Sequence, residues 1–82
     1  MTHQSIQRIL LDWIFEKSDL DSISDIPLDE SLLSTGTLDS FAIIELVEFI
    51  ESNWNITIED SEFSTERMGS VNKMCDLISG KL

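Results

Sequence analysis

One short segment of the sequence, Gly36-Thr37-Leu38-Asp39-Ser40-Phe41, places a serine hydroxyl where it could carry a covalent group. Ser40 stands at the start of a predicted helix, where a phosphate on its oxygen would meet free backbone N–H groups and the positive end of the helix dipole. Gly36 permits a sharp turn into that helix. The alternative is that Ser40 only caps the helix, and its position alone favours this simpler role.

The remaining reactive residue types do not form a catalytic set. The single histidine, His3, falls in an N-terminal stretch that we expect to be frayed, with no nucleophile near it in the sequence. The single cysteine, Cys75, lies on the apolar stripe of the last predicted helix, which indicates a core residue and not a reactive thiol. One Cys and one His cannot complete a zinc site. The aspartates at 19, 21 and 25 do not make a calcium loop, because Ser24 stands where such a loop needs glycine. We therefore predict neither an enzyme nor a metal site.

The charge balance limits the kinds of partner. Sixteen Asp and Glu against five Lys and Arg give the chain a net charge of -11. Nucleic-acid phosphates and anionic lipids would repel such a chain, whereas a basic protein surface would attract it. A general contribution to solubility explains the acidic content equally well, so charge alone does not choose between the two. Without a signal-peptide pattern or an apolar run long enough to span a bilayer, a cytoplasmic location is expected.

Apolar periodicity predicts an all-α fold, a small four-helix bundle in one domain over 1–82. Three main helices are expected over 5–17, over 40–53, and from Gly69 and Ser70 to Gly80, with a short, weak helix within 59–67 and an extended connector over 54–58. A long loop over 18–39 separates the first two helices. Its scattered apolar residues are expected to pack onto the bundle, namely Ile23, Ile26, Leu28, Leu32, Leu33 and Leu38.

The second predicted helix has two distinct faces at about 100° per residue. Its inward face consists of Ile43, Leu46, Val47, Ile50 and Trp54, and its outward face of Phe41, Glu45, Glu48 and Ser52. Phe41 is therefore a large apolar side chain on an acidic stripe, and we expect it to be at least partly exposed.

The segment around Ser40 closely resembles the Gly-x-x-Asp-Ser-Leu signature of carrier proteins from fatty-acid, polyketide, nonribosomal-peptide and D-alanine-transfer systems. Asp39 and Ser40 match its Asp-Ser pair, and Phe41 replaces the usual Leu or Met. The likeness continues in order through Asp29-x-x-Leu32-x-x-x-Gly36, Glu45-Leu46-Val47, Ile50-Glu51, Trp54-Asn55-Ile56-x-Ile58, Ser61-Glu62-Phe63 and Val71-Asn72-Lys73. The last two stretches resemble the D-alanyl-carrier branch. This ordered set covers nearly the whole chain and is far more specific than an isolated Asp-Ser pair.

The resemblance implies a carrier with a covalent cofactor. Ser40, beside Asp39, would bear a 4′-phosphopantetheine arm whose thiol holds an acyl, aminoacyl or peptidyl group as a thioester. The implied partners of this monomeric carrier are a phosphopantetheinyl transferase, an adenylating or acyl-loading enzyme, and a condensing or transferase enzyme. The docking face that it implies comprises Phe41, Ile44, Glu45, Glu48 and Glu51.

Two positions differ from the fatty-acid carriers. Ala42 stands where those carriers often have an acidic residue, and Glu48 stands where they often have an apolar one. These departures favour a specialised or aminoacyl-type pathway. The alternatives are a fatty-acid synthesis carrier and an unmodified acidic helical adaptor that binds a basic partner.

Overall fold

Helices are the only regular secondary structure in residues 2–82, which a computed structural model of the protein describes except for the side chains at 65 and 66. The elements are α1 (His3–Lys17), a 3-10 turn (Ile23–Asp25), α2 (Ser40–Trp54), α3 (Thr65–Met68) and α4 (Val71–Lys81). The all-α prediction is confirmed, with three long helices and a four-residue α3. None of the described helices is long and apolar enough to cross a membrane.

Helix α1 begins two residues earlier than its apolar pattern predicts. Thr2 caps it, because the Thr2 side-chain oxygen accepts a hydrogen bond from the backbone N–H of Ser5 at 3.2 Å. His3 is therefore helical, and the prediction of a frayed end is wrong there. The buried stripe of α1, which consists of Ile6, Leu10 and Ile14, lies in a common core with the inner residues of α2 and α4.

Helix α2 ends one residue later than predicted. Trp54 is its last residue and is buried, so it belongs to the helix and not to the connector. Asn55 follows with φ 54°, a left-handed conformation that asparagine tolerates and that ends helices. An aromatic cluster joins α2 to α1. The ring of Phe49 stacks on that of Trp13 with 5.6 Å between the ring centroids, and it packs edge-to-face against Trp54 with 6.1 Å between the centroids.

The long loop packs onto the bundle only in part. Ile26, Leu32 and Leu38 are buried as predicted, whereas Leu28 and Leu33 are 37% and 52% exposed, contrary to expectation. Backbone hydrogen bonds hold the loop, because Leu32 N–H donates to Gly69 O at 3.1 Å and Asn72 N–H donates to Leu28 O at 3.0 Å. These two bonds fix the loop against the start of α4.

The last third of the chain contains less helix at its start and more at its end than predicted. Where a short helix was predicted within 59–67, turns fill most of 59–64, and regular helix begins only with α3 at residue 65. The last helix begins near Ser70 as predicted, because Ser70 is the N-cap of α4 and its side-chain oxygen accepts a hydrogen bond from the Lys73 N–H at 3.3 Å. Gly80 does not end α4, because it lacks the positive φ of a terminating glycine and the helix continues to Lys81. Cys75 is buried in the core, which confirms its structural assignment.

Candidate functional site at Ser40 and the outer face of helix α2

A turn and an anchored leucine present Ser40 to solvent. Gly36 has φ +75°, the left-handed conformation that glycine adopts without steric cost, so the predicted turn is present. Leu38 is 3% exposed, and its N–H donates to Leu32 O at 3.2 Å. Two residues after this buried anchor, Ser40 is the first residue of α2 and its side chain is exposed. An enzyme can therefore reach its hydroxyl from outside.

Asp39 organises the first turn of α2. Its Oδ1 accepts the N–H of Ala42 at 2.8 Å, and its carbonyl oxygen accepts the N–H of Ile43 at 3.1 Å. Asp39, and not Ser40, is thus the N-cap residue. Within the described chain, the N–H groups of Ser40 and Phe41 make no hydrogen bond. Free N–H groups at a helix start suit a phosphate on the adjacent serine.

The predicted docking residues differ in exposure. Phe41 is 70% exposed and Ile44 is 52% exposed, and Glu48 is exposed beside them. The exposure of Phe41 confirms the expectation from the helical pattern. These three residues form the outer face of α2, which combines apolar contacts with negative charge.

Two of the predicted docking carboxylates are less available. Glu45 is half-buried. Glu51 is also half-buried, and its Oε2 accepts the backbone N–H of Ile58 at 2.9 Å. Glu51 therefore holds the connector after α2 in place, a structural contact that the helical pattern did not indicate.

Sequence reasoning missed an apolar groove beside α2. The groove has a volume of about 160 Å³. It is lined by Ser31, Leu33, Ile43, Phe63, Ser64, Met68 and Gly69. Phe63 and Leu33 line it while remaining 47% and 52% exposed. No periodicity marks these residues, because they come from the loop and from the turns before α3.

Glu62 fixes the turn that carries Phe63. Its carboxylate accepts from Lys81 Nζ at 2.8 Å, from the Glu59 N–H at 2.9 Å, and lies 3.8 Å from Arg67 Nη2. The bond from Lys81 is the main reason that the pKa of Glu62 lies below its ordinary value, and the bond from Glu59 lowers it further. The side chain of Glu62 is only 15% exposed.

The other reactive residue types lie apart from Ser40. His3 Nε2 is 3.2 Å from Asp76 Oδ1 on α4, and neither residue belongs to the first turn of α2. Burial raises the pKa of the Cys75 thiol to about 11, and the charge of Asp76 contributes to the shift. Among the described residues, no three His, Cys, Asp or Glu side chains come together as a metal site would require.

Comparison with known proteins finds several relatives that share one description, D-alanyl carrier protein. The chain is 39% identical to a D-alanyl carrier protein of Streptococcus suis (strain 05ZYH33) over 67 residues, which cover 82% of this chain and 80% of the relative. It is 38% identical to a D-alanyl carrier protein of Streptococcus equi subsp. zooepidemicus (strain MGCS10565) over 61 residues, or 74% and 76% of the two chains. The protein of the same description from Streptococcus mutans is 32% identical over 66 residues, or 80% and 82%. No protein-family model matches the chain.

The protein is a small all-helical chain with an exposed serine directly after the cap of its second long helix. The identities above extend over most of each chain. The protein therefore belongs to the carrier-protein family that includes these D-alanyl carrier proteins, which agrees with the prediction of a carrier and not an enzyme.

Proposed function

We propose that Ser40 bears a covalent 4′-phosphopantetheine arm and that the protein carries an aminoacyl group on it. The observation that carries this proposal is the position of Ser40, exposed at the first residue of α2 and directly after the Asp39 cap. A capping role for Ser40, the simpler alternative, is already taken by Asp39. The Ser40 hydroxyl is thus left for modification.

The residues around Ser40 fit a phosphodiester. In the modification, Ser40 Oγ would lose its proton and bond to the pantetheine-side phosphorus of the diphosphate of coenzyme A. The bond from that phosphorus to the bridging oxygen would break, and adenosine 3′,5′-bisphosphate would leave. The N–H groups of Ser40 and Phe41 are available to hydrogen-bond phosphate oxygens. Asp39 keeps the helix start ordered through its bond to Ala42. When bound, the arm would supply a terminal thiol for a thioester, so Ser40 is an anchor and not a catalytic nucleophile.

An aminoacyl group is the cargo that the relatives support. Several of them are described as D-alanyl carrier proteins. D-Alanine is therefore the first amino acid to test, within a specialised transfer pathway rather than fatty-acid synthesis. The departures at Ala42 and Glu48 from the fatty-acid carriers point in the same direction.

Successive enzymes would dock on the outer face of α2. Phe41 would supply the main apolar contact, since interface energy concentrates in a few aromatic residues. Glu48, with Glu45, Glu51 and Asp39, would attract Lys and Arg of the partner and speed association more than it strengthens the final complex. The expected partners are a phosphopantetheinyl transferase, an adenylating enzyme and an acyl-transferring enzyme. A monomeric state and a cytoplasmic location belong to the same proposal.

Intact-mass spectrometry tests the anchor. The wild type, Ser40→Ala and Ser52→Ala are each incubated with coenzyme A and a broad-specificity phosphopantetheinyl transferase. We expect the mass of one phosphopantetheinyl group to be added to the wild type and to Ser52→Ala, the matched control on the same helix, and nothing to be added to Ser40→Ala. An unmodified wild type would favour the acidic adaptor, and equal modification of Ser40→Ala would place the anchor elsewhere.

A second mass measurement tests the cargo. The modified protein is incubated with ATP and a D-alanine-activating enzyme, with D-alanine or L-alanine, and in parallel with an acyl-loading enzyme and a fatty acid. We expect a thioester adduct with D-alanine that hydroxylamine removes. Loading by the fatty acid alone would overturn the aminoacyl assignment and leave the anchor intact.

A further inference from the structure

Hydrogen bonds fasten the long loop before α2 to the start of α4. The Asn72 N–H donates to Leu28 O at 3.0 Å, and the Asn72 side chain donates to Asp29 Oδ1 at 2.7 Å. Further along the loop, the Leu32 N–H donates to Gly69 O at 3.1 Å. The loop therefore lies along the first residues of α4, and Asn72 makes two of these bonds.

The side chain of Asn72 is itself held from α1. Gln7 Nε2 donates to Asn72 Oδ1 at 2.9 Å, and this contact is partly buried. With its oxygen engaged by Gln7, the amide turns its NH2 group toward Asp29. An asparagine suits this position because it accepts from one partner and donates to the other, which neither a carboxylate nor an aliphatic side chain can do.

Two buried leucines connect the fastened part of the loop to Ser40. The Leu38 N–H donates to Leu32 O at 3.2 Å, and both leucine side chains are buried. The Asp39 cap and then Ser40 follow Leu38 directly. Because Ser40 is the first residue of α2, where a helix frays most easily, its position depends on the chain that precedes it.

The outer face of α2 depends less on the loop. Ile44 and Glu48 lie within the helix, one and two turns after its start, so the helix itself sets their positions. A change in the fastening of the loop should therefore affect the placement of Ser40 more than the binding of a partner to the outer face.

We propose that Asn72 is a positioning residue for the modification of Ser40. Asn72 fixes the loop, the loop fixes the entry into α2, and the Ser40 hydroxyl is thereby held where an enzyme can align it with the phosphorus of coenzyme A. Alignment of reacting groups contributes strongly to rate and is lost through small displacements. The role needs no contact between Asn72 and the enzyme. This inference rests on the proposed modification of Ser40.

Amide hydrogen exchange tests the fastening without any enzyme. The N–H groups of Leu32 and Leu38 report on local opening, since both are hydrogen-bonded when the loop is in place. In Asn72→Ala we expect these two amides to exchange about 10-fold faster relative to the amide of Ile50 in the body of α2, because the side-chain bonds are lost. An unchanged ratio would mean that Asn72 does not hold the loop.

Steady-state kinetics of the modification test the effect on Ser40. The carrier is varied at saturating coenzyme A with the broad-specificity transferase. For Asn72→Ala we expect kcat to fall by about 10-fold, within the loss that a displacement of about 1 Å can cause. KM for the carrier should stay within about 2-fold of the wild type, because the outer face of α2 is intact.

A core variant serves as the matched control for stability. Ile78 is buried further along α4, and Ile78→Val removes one methylene group from the core. The loss of stability should be similar to that of Asn72→Ala. Ile78→Val should nevertheless keep the wild-type kcat and KM, because the bonds that fasten the loop are untouched.

Exchange of the two bonded side chains provides the rescue. Asn72→Asp keeps an acceptor for Gln7 but loses the donor to Asp29 and places two carboxylates together. The helix itself tolerates the change, since an acidic residue in the first turn is favourable. Adding Asp29→Asn returns a donor to the pair, with the direction of the bond reversed. We expect kcat to be low for Asn72→Asp alone and to recover most of its wild-type value in the double variant.

Contrary results would overturn the positioning role in distinct ways. It is wrong if Asn72→Ala keeps the wild-type kcat, if Ile78→Val loses as much, or if adding Asp29→Asn to Asn72→Asp recovers nothing. A change confined to KM would also overturn it, because the loop would then contribute to binding the enzyme and not to placing Ser40. An unmodified wild type would overturn the proposed function together with this inference. Circular dichroism confirms that each variant is folded.

Discussion

Asn72 donates a side-chain hydrogen bond to Asp29 Oδ1 at 2.7 Å, which ties the start of α4 to a loop residue 43 positions earlier. The same side chain accepts a bond from Gln7 Nε2 at 2.9 Å, so it also reaches α1. Its backbone N–H binds Leu28 O. One residue therefore connects the loop that leads to Ser40 with both helices beneath it.

Replacing Asn72 with alanine should destabilise the protein by about 1–2 kcal/mol, since two side-chain hydrogen bonds are lost at a partly buried position. Urea unfolding followed by tryptophan fluorescence measures the loss. Asn53→Ala, at an exposed position near the end of α2, is the matched control and should change the unfolding free energy by less than about 0.5 kcal/mol. Equal losses in the two variants would mean that the Asn72 bonds contribute nothing.

Removing the cap of α2 should weaken the helix that begins at Ser40. Asp39→Ala loses the bond to the Ala42 N–H and should cost about 1 kcal/mol of unfolding free energy, whereas Asp39→Asn keeps an acceptor and should lose less. Thermal unfolding of the two variants makes the comparison. Identical melting temperatures would show that the cap contributes no stability.

Glu51 and Glu48 should differ in their contribution to stability, because Glu51 makes a structural hydrogen bond and Glu48 is exposed on the surface. Glu51→Ala leaves the Ile58 N–H without its partner and should cost about 1 kcal/mol, while Glu48→Ala, an exposed residue of the same type on the same helix, should cost almost nothing. Chemical unfolding measures both changes. Binding of the transferase should depend on Glu48 although stability does not. Glu48→Ala should slow association of the carrier with the transferase, and this effect should shrink at high salt.

The ion pair of Glu62 with Lys81 makes the free energy of unfolding depend on pH in the acidic range. Because the pKa of Glu62 is lowered in the folded state, its contribution is present above the ordinary glutamate value of 4.5 and is lost as the pH falls through the folded pKa. Glu62→Gln should therefore flatten the decline of unfolding free energy below that value. Glu48→Gln, which removes an exposed glutamate of α2, is the variant for comparison. A slope that Glu62→Gln leaves unchanged would contradict this assignment.

The buried thiol of Cys75 makes the free energy of unfolding depend on pH in the alkaline range. Its folded pKa of about 11 lies above the ordinary value of 9.0, so the folded state keeps the proton longer and stability falls as the pH rises between those values. Cys75→Ala should lower the overall stability through a core cavity but reduce the decline in that pH range. At neutral pH an aromatic disulfide reagent should leave the folded thiol intact and react only after unfolding. Rapid reaction with the folded protein would contradict its burial.

The parts of the molecule that local chemistry determines were predictable from the sequence. The apolar stripes of α1 and α2, the exposed position of Phe41 and the turn at Gly36 follow from helical spacing and from glycine, and the structure contains all of them. The order of motifs around Ser40 identified the family, and the relatives confirm it. The roles of Ser40 and the outer face of α2 stay predictions.

The contacts that depend on distant residues were not predictable in the same way. Glu51 reads as one more carboxylate on an acidic stripe, and only the path of the connector brings the Ile58 N–H to it. Phe63 becomes a wall of the groove because turns, and not the predicted helix, occupy the segment before α3. Leu33 reads as a core residue, yet it is exposed because the loop turns it outward.

The turn at Gly36 requires glycine because of its backbone angle and not because of a lack of room for a side chain. A methyl group built at this position would meet no atom within 4 Å, so packing would not oppose a side chain there. With φ at +75°, an L-alanine would nevertheless be strained by about 1–2 kcal/mol, whereas its mirror-image D-residue would favour that backbone angle. The presentation of Ser40 thus depends on the handedness of a single backbone position four residues before it.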